Sequence, residues 1–343
     1  MPWISLPPLI GLDVGTGAVK VVQMEQKGGR KYVGHAAKVD IEDSTDEESV
    51  RRAILQALKM SGAKGKRVCC SIAGPSTAVR KLALPKMTED ELPGAVWWEG
   101  GQVIPYDMEN VYFDFQKIGT DDRAARIDVL FVAASKELID RKQKLIEGCG
   151  LEARIFDTDA MALLNGFMSS PSRPLDTERY AVMDIGARYT NLAIAVEGQV
   201  PFVRDILIGG DDYTHAIMRE LDVSFPEAER IKRRLRFQPN PRAELAMVAM
   251  TERLAEEIQL SFRYFQKREE HTSEEFRLEN ARLCGGASQL VGLEGRLSVL
   301  LDMKVETWSP LSDMMEGELI PGLADYQYSF AVALGLALRE EPQ

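Results

Sequence analysis

Residues 9–22 read LIGLDVGTGAVKVV, and residues 181–196 read AVMDIGARYTNLAIAV. Laid on one another without gaps, Asp13-Val14-Gly15 falls on Asp184-Ile185-Gly186, 171 residues later. Each stretch is an apolar run ending on aspartate, then a turn, then a second apolar run. This pattern predicts a β-hairpin whose turn glycines permit positive φ and expose backbone N–H groups. One such turn alone reads as a plain hairpin with a buried or capping aspartate. The spacing recurs, however: AMALLN at 160–165 and AVALGL at 331–336 both open A-x-A-L and are also 171 residues apart. Two unrelated features at one spacing indicate an internal duplication.

The duplication predicts two hairpins facing each other across a cleft, with the two Ala-rich helices crossing beneath it as a hinge. In the first turn, Gly15, Thr16 and Gly17 would wrap a phosphate, with Lys20 as a nearby cation. In the second, the corresponding residues are Gly186, Ala187, Arg188 and Thr190; Arg188 either contacts phosphate or narrows the site. Asp13 and Asp184, at the strand ends, would hold a hydrated magnesium ion.

Two more glycine elements join them. ARLCGGASQLVGLEGR (281–296) predicts a short strand, a turn at Gly285-Gly286-Ala287, and a helix from about Ser288 with Leu290, Val291 and Leu293 inward. It reads either as a site for an adenosine or its α-phosphate, or as a tight strand-to-helix connection. In DILIGGDDYTHAIMRELDVSFPEAERIKR (205–233), Gly209-Gly210-Asp211 leads into a helix with Tyr213, Ile217 and Leu221 inward. Ser224, Pro226 and Glu227 then predict a capping box opening a second helix. On that helix Glu229 and Lys232 share a face. They would read a ribose or adenine edge, or form a solvated ion pair.

Bulk properties limit the alternatives. At 343 residues the chain is long enough for two domains. A formal net charge of −11 argues against nucleic acid as the main partner. The four cysteines (Cys69, Cys70, Cys149, Cys284) contain no CxxC pair and read as small core residues in a reducing compartment. His35, His215 and His271 are scattered, which argues against a Cys/His metal cluster. MPWISLPPLIGLD lacks a basic n-region and is interrupted by Pro7-Pro8, so it does not read as a signal peptide. No run of about 18 apolar residues is present to span a membrane.

Between the first hairpin and the first Ala-rich helix lies an aromatic-rich segment. Thr88 and Glu91 predict a capped helix from about Met87, and Leu92 and Val96 give it an apolar stripe. Val103-Ile104-Pro105 ends it. VYFDFQKI alternates as a strand with Val111, Phe113 and Phe115 on one face; RIDVLFVAAS is a second strand and KELIDRKQKLIEGCG an amphipathic helix. Most of these aromatics read as the core of a small α/β unit. Trp97 and Trp98 are adjacent and cannot both face it, which suggests a peptide or subunit contact.

LIGLDVGTGAVK, AVMDIGARYTNLAI, LCGGASQL and the two Ala-rich helices resemble the phosphate-1, phosphate-2, adenosine and connecting motifs of the actin-like ATPase superfamily. Within it, RDILIGGDDYTHAIMRELDVSFPEAERIK and ELPGAVWWEGGQVIPYDMENVYFDFQ resemble the bacterial FtsA/PilM branch, the latter its PilM members in type IV pilus assembly. The resemblance spans residues 9 to about 338. It implies an α/β, actin-like (ribonuclease H-like, duplicated) two-domain ATPase fold. Subdomain 1A would be 1–76 and 149–180, an inserted 1C-type subdomain 77–148, domain II 181–324 (2A with inserted 2B), and 325–343 the second connecting helix returning to domain I. It also implies a cytoplasmic adaptor that binds ATP and Mg2+, with slow or no hydrolysis. Such a protein grips the cytoplasmic N-terminal peptide of PilN in a groove between 1A and 1C. PilN would link it to PilO, PilP and the pilus motor ATPases and recruit it to the inner-membrane face.

Two other functions fit the same fold. A small-molecule kinase would need a base in the cleft, for which Asp157 and Asp159 stand ready before the first connecting helix. An FtsA-type filament protein would carry an amphipathic membrane helix after a linker, which the sequence up to Gln343 does not contain.

Overall fold

The computed structural model describes residues 8–121, 125–173, 179–196, 199–268, 278, 280–317 and 322–341; the segment 1–7 and His271, both read above, lie outside them. Two five-stranded sheets repeat one plan. In the first, β1 (Ile10–Val14), β2 (Ala18–Lys27) and β3 (Arg30–Asp40) form an antiparallel meander. Helix α1 (Glu47–Ser61) crosses back, and β4 (Arg67–Ile72) lies parallel beside β1. The insertion follows: β5 (Thr77–Pro85), α2 (Leu92–Val103), β6 (Val111–Asp121), β7 (Arg126–Ser135) and α3 (Lys136–Gly148). β8 (Glu152–Thr158) then completes the order β3-β2-β1-β4-β8, and α4 (Asp159–Met168) leaves the sheet.

The second half repeats the meander with β9 (Arg179–Ile185), β10 (Thr190–Val196) and β11 (Gln199–Ile206). Helices α5 (Gly210–Leu221), α6 (Phe225–Arg234) and α7 (Pro241–Arg268) precede β12 (Asn280–Cys284), followed by α8 (Leu293–Leu301) and β13 (Lys304–Thr307). The order is β11-β10-β9-β12-β13, with β12 parallel to β9 and β13 parallel to β12. A short helix α9 (Pro310–Met314), a 3-10 segment (Ala324–Phe330) and α10 (Ala331–Ala337) follow. The duplication extends to register: Asp13 lies opposite Lys20 and Asp184 opposite Asn191, which is itself 171 residues after Lys20.

Local chemistry sets these elements. β9 and β10 are buried at nearly every residue, as near-continuous apolar strands covered on both faces must be. Helix α1 starts where Asp46 accepts bonds from the amides of Glu48 and Ser49 and ends at Gly62 in the left-handed conformation. Its inner face buries Val50, Ala53, Ile54 and Ala57.

The two Ala-rich helices cross at van der Waals limits. A Cβ on Gly335 of α10 would fall 1.7 Å from the Ala162 carbonyl oxygen of α4. A Cβ on Gly11 of β1 would fall 2.1 Å from Ala333 O. The Asn165 side-chain amide donates to Gly335 O at 2.7 Å. Only glycine permits this spacing, which ties the end of the chain to the first strand.

The insertion has its own three-stranded sheet, ordered β5-β7-β6, with Leu82, Leu92, Val96, Val129 and Phe131 in its core. Helix α3 packs away from that core: Ile146 joins the first-half core, and Ile139 packs with Ile72 and Ala134. Two expectations are corrected here. Helix α2 begins at Leu92 rather than Met87, because the Glu91 carboxylate accepts from both the amide and the hydroxyl of Thr88 and closes a turn ahead of the helix. The aromatics expected to fill the insertion's core mostly lie outside it: Tyr112 and Phe113 are exposed, as are both adjacent tryptophans, Trp97 at 44% and Trp98 at 64%.

Gly335→Ala is expected to lower stability by about 2–3 kcal/mol, because overpacking against a backbone oxygen cannot relax by a rotamer change. Urea denaturation checks this; an unchanged midpoint would contradict the crossing.

Candidate functional site

The hairpin turns close alike. Gly15 N–H donates to Ala18 O at 3.1 Å, and Gly186 N–H to Tyr189 O at 2.9 Å. The amides of Thr16, Gly17, Ala187 and Arg188 make no backbone hydrogen bond among the described residues. The turns face each other: a Cβ on Gly17 would lie 3.3 Å from the Ala187 methyl. Farther along the same boundary, Gly74 N–H donates to the Asp205 carboxylate at 3.0 Å.

Beneath the turns is a charge cluster. Lys20 Nζ lies 2.6 Å from Asp13 Oδ2. Burial works against the Lys20 cation, but Asp13 and Asp184 outweigh it and hold its pKa above the ordinary lysine value. Burial pushes the Asp184 carboxyl up to about 6, with Lys20 opposing and Asp13 adding to the shift. Asn191, standing where the first hairpin has Lys20, bonds Asp184 and leaves its own Oδ1 buried without a partner. Asp159, at the start of α4, is raised by burial and by the carboxylates of Asp13 and Asp205; Lys142 and Ser71 oppose the shift. Lys142 Nζ donates to Ser71 O at 2.5 Å, so α3 of the insertion and the cleft share one polar cluster.

In the second half, the remaining glycines converge on the Gly186-Ala187 turn. Gly210 N–H donates to Gly186 O and Asp211 N–H to Ala187 O. A Cβ on Gly209 would sit 2.4 Å from Ala187 O, and one on Gly285 2.2 Å from Asp184 Oδ1. Gly285 has φ +97°, and Ala287 N–H donates to Ile185 O. Gly286 is exposed, with only Ser329 Oγ near its open face. The Thr190 hydroxyl is buried and donates to Ile208 O. Arg188 is exposed, its charge acting on Asp211. Gly209, Gly210 and Thr190 therefore brace the turn, while Arg188 and Gly286 face open space.

Glu229 and Lys232 form a largely buried pair at 2.6 Å rather than a solvated one. Lys232 Nζ also donates to Gly210 O and Thr214 Oγ1, both at 2.7 Å, stapling α6 to the start of α5. Burial raises the Glu229 carboxyl, but Lys232, Thr214 and Arg233 prevail and bring it to about 2.

Three local expectations are corrected. The helix after Gly285-Gly286-Ala287 begins at Leu293, not Ser288. The Ser288 hydroxyl turns back to Gly285 O, Gly292 adopts φ +74° just before the helix, and Val291 is exposed. Ser224 makes no side-chain cap bond, and the Glu227 carboxylate pairs with Arg230 rather than reaching back to the cap. Asp157 is not a free base, since Arg339 holds it at 2.6 Å. The site residues missed in the sequence were Asn191, Asp205, Lys142 and Ser71. Only Asn191 carried a signal, its spacing from Lys20.

The residues present fit a magnesium nucleotide. Two turns offer open amides, two carboxylates flank a lysine, and Asn191 Oδ1 is an orphaned acceptor beside them. Among the described residues no three His, Cys, Asp or Glu side chains come together as a metal cage. That suits a cation which keeps its waters and is held by one or two carboxylates and phosphate oxygens.

The buried carboxyls predict opposite pH effects. Asp184 is raised, so it binds a proton more readily folded than unfolded, and stability falls as pH rises from about 4 through 6. Asp184→Asn is therefore expected to stabilise the unliganded protein by up to about 3 kcal/mol above pH 7, the gain vanishing near pH 4. Glu229 is depressed, so its contribution is present above about pH 4.5 and lost towards pH 2. Glu229→Gln is expected to destabilise by about 3 kcal/mol at pH 7 and less below pH 4. Urea melts across pH 3.5–8 check both; variants of the same sign would refute the assignment.

A family model described as "Type IV pilus assembly protein PilM" matches residues 11–341. The cell division protein FtsA of Bacillus subtilis is 24% identical over 258 residues, covering 66% of this chain. The chain spans 57% of that relative's length. Among solved structures, a PilM-PilN type IV pilus biogenesis complex superposes with a TM-score of 0.82 at 24% identity, covering 98% of this chain and 99% of that one. MreB5 of Spiroplasma citri bound to ADP superposes at 0.53 with 11% identity, covering 96% and 94%. Among the described residues no helix is long and apolar enough to cross a membrane. With its duplicated sheets, closely crossed Ala-rich helices and facing turns, the chain has the actin-like fold and belongs to the PilM family of type IV pilus assembly proteins.

Proposed function

We propose that the chain is an ATP-binding adaptor at the cytoplasmic face of the inner membrane. It holds the cytoplasmic N-terminal peptide of a PilN-type partner, and through it PilO and PilP, and links that set to the pilus motor ATPases. The observation that carries the nucleotide half is the pair of facing turns over Asp13, Lys20 and Asp184. The likeness to a solved PilM-PilN complex and to an ADP-bound MreB5 supports the partner and the nucleotide.

In this reading the amides of Thr16, Gly17, Ala187 and Arg188 grip the phosphates from both sides. Lys20 supplies fixed positive charge below them. Asp13 and Asp184 would hold the magnesium ion, which when bound neutralises phosphate charge. Gly286 leaves room for the adenosine side. Asp159 is a cleft carboxylate left for orienting water, and its environment favours the protonated form, which accords with slow or no turnover. The polar cluster of Ser71, Lys142 and Asp159 gives the nucleotide a route to the insertion, against which the PilN peptide would lie.

Affinity capture from the source cell's membrane extract, with and without Mg·ATP, tests the reading. The expected result is a small single-span membrane protein released by its own N-terminal peptide. Capture of no membrane protein in either state would overturn it.

A further inference from the structure

We propose that the groove between the insertion and the second half docks an extended, acidic segment of a partner protein, bound as an added β-strand. β5 and β11 are both outermost strands of their sheets. They approach each other where Gly74 N–H meets the Asp205 carboxylate, yet no ladder joins them. Alongside them opens a groove of about 680 Å3. Its apolar lining includes Val79, Leu130, Val203, Leu260 and Tyr264, the last two being 47% and 57% exposed. β5 pairs only with β7, so its outer edge carries no strand and, apart from the Val79 carbonyl, which accepts from the guanidinium of its neighbour Arg80 at 2.9 Å, keeps backbone groups for a strand to pair with.

The charge of the groove selects the occupant. Arg80, Lys81, Arg204, Arg263 and Lys267 line it, against Glu257. Lys81 is paired with Asp128 and Arg204 with Glu257. Arg80, Arg263 and Lys267 form no ion pair among the described residues, in a chain whose net charge is −11. Basic residues on an edge strand are a common guard against unwanted pairing. That explanation covers Arg80 but not Arg263 and Lys267, which stand one turn apart on helix α7 and have no edge to guard. Cations from a helix and a strand around an apolar floor between two open edges match alternating acidic and apolar side chains on an extended backbone. The groove is separate from the nucleotide cleft and independent of the PilN reading.

The test uses the full chain and a fluorescein-labelled peptide of alternating glutamate and valine, read by anisotropy at low salt. Binding is expected, with at least about a tenfold loss for the R263E/K267E variant, for R80E, and for a peptide N-methylated at alternate amides. A lysine-for-glutamate peptide is expected not to bind. The variants lie on the surface, and their thermal midpoints verify folding. No binding by the unaltered protein, equal binding by the variants, or equal binding of the lysine peptide would overturn the site. Equal binding of the N-methylated peptide would overturn strand addition.

Discussion

The crossing of α4 and α10 is the constraint on which the rest of the molecule depends. The Gly335 backbone lies so close to Ala162 O that no side chain fits between them, and Gly11 of β1 accepts the same helix equally closely. One short helix thus fixes the first strand and the first connecting helix together. Each hairpin sits on its own sheet, and the sheets meet through these helices, so the crossing brings the two turns face to face. A methyl group there would act on the cleft as much as on stability.

The cleft carries unfavourable electrostatics that a ligand would relieve. Asp13 acts on both Asp184 and Asp159, and burial together with its charge raises both carboxyls against the opposing cations of Lys20 and Lys142. Asn191 replaces what would be a second lysine, leaving the second hairpin one positive charge short. A divalent cation would supply that charge. The buried Glu229–Lys232 pair shows the opposite design, with each charge matched and hydrogen-bonded.

The duplicated fold was legible because its signal was a spacing. Asp13 and Asp184 fall at equivalent strand ends, and Ala160 and Ala331 at equivalent helix starts, and tertiary packing does not blur such a repeat. The local end signals were less secure. Ser224 and Thr88 both had an acidic residue three positions on, yet Glu227 chose Arg230 and Glu91 closed a separate turn. Capping boxes compete with other short-range bonds of similar strength. The start of α8 was hidden because Ser288 bonds backward to Gly285 O. Lys142 and Asp205 could not be found from sequence, since they reach the cleft from α3 and β11, and no periodicity records that meeting.

The central claim is that both hairpin turns grip one Mg·nucleotide. Hydrogen–deuterium exchange with and without Mg·ATP addresses it directly. The account predicts that peptides covering 13–20 and 184–191 slow together and at the same nucleotide concentration. Protection confined to one turn, or absent from both at saturating Mg·ATP, would contradict it.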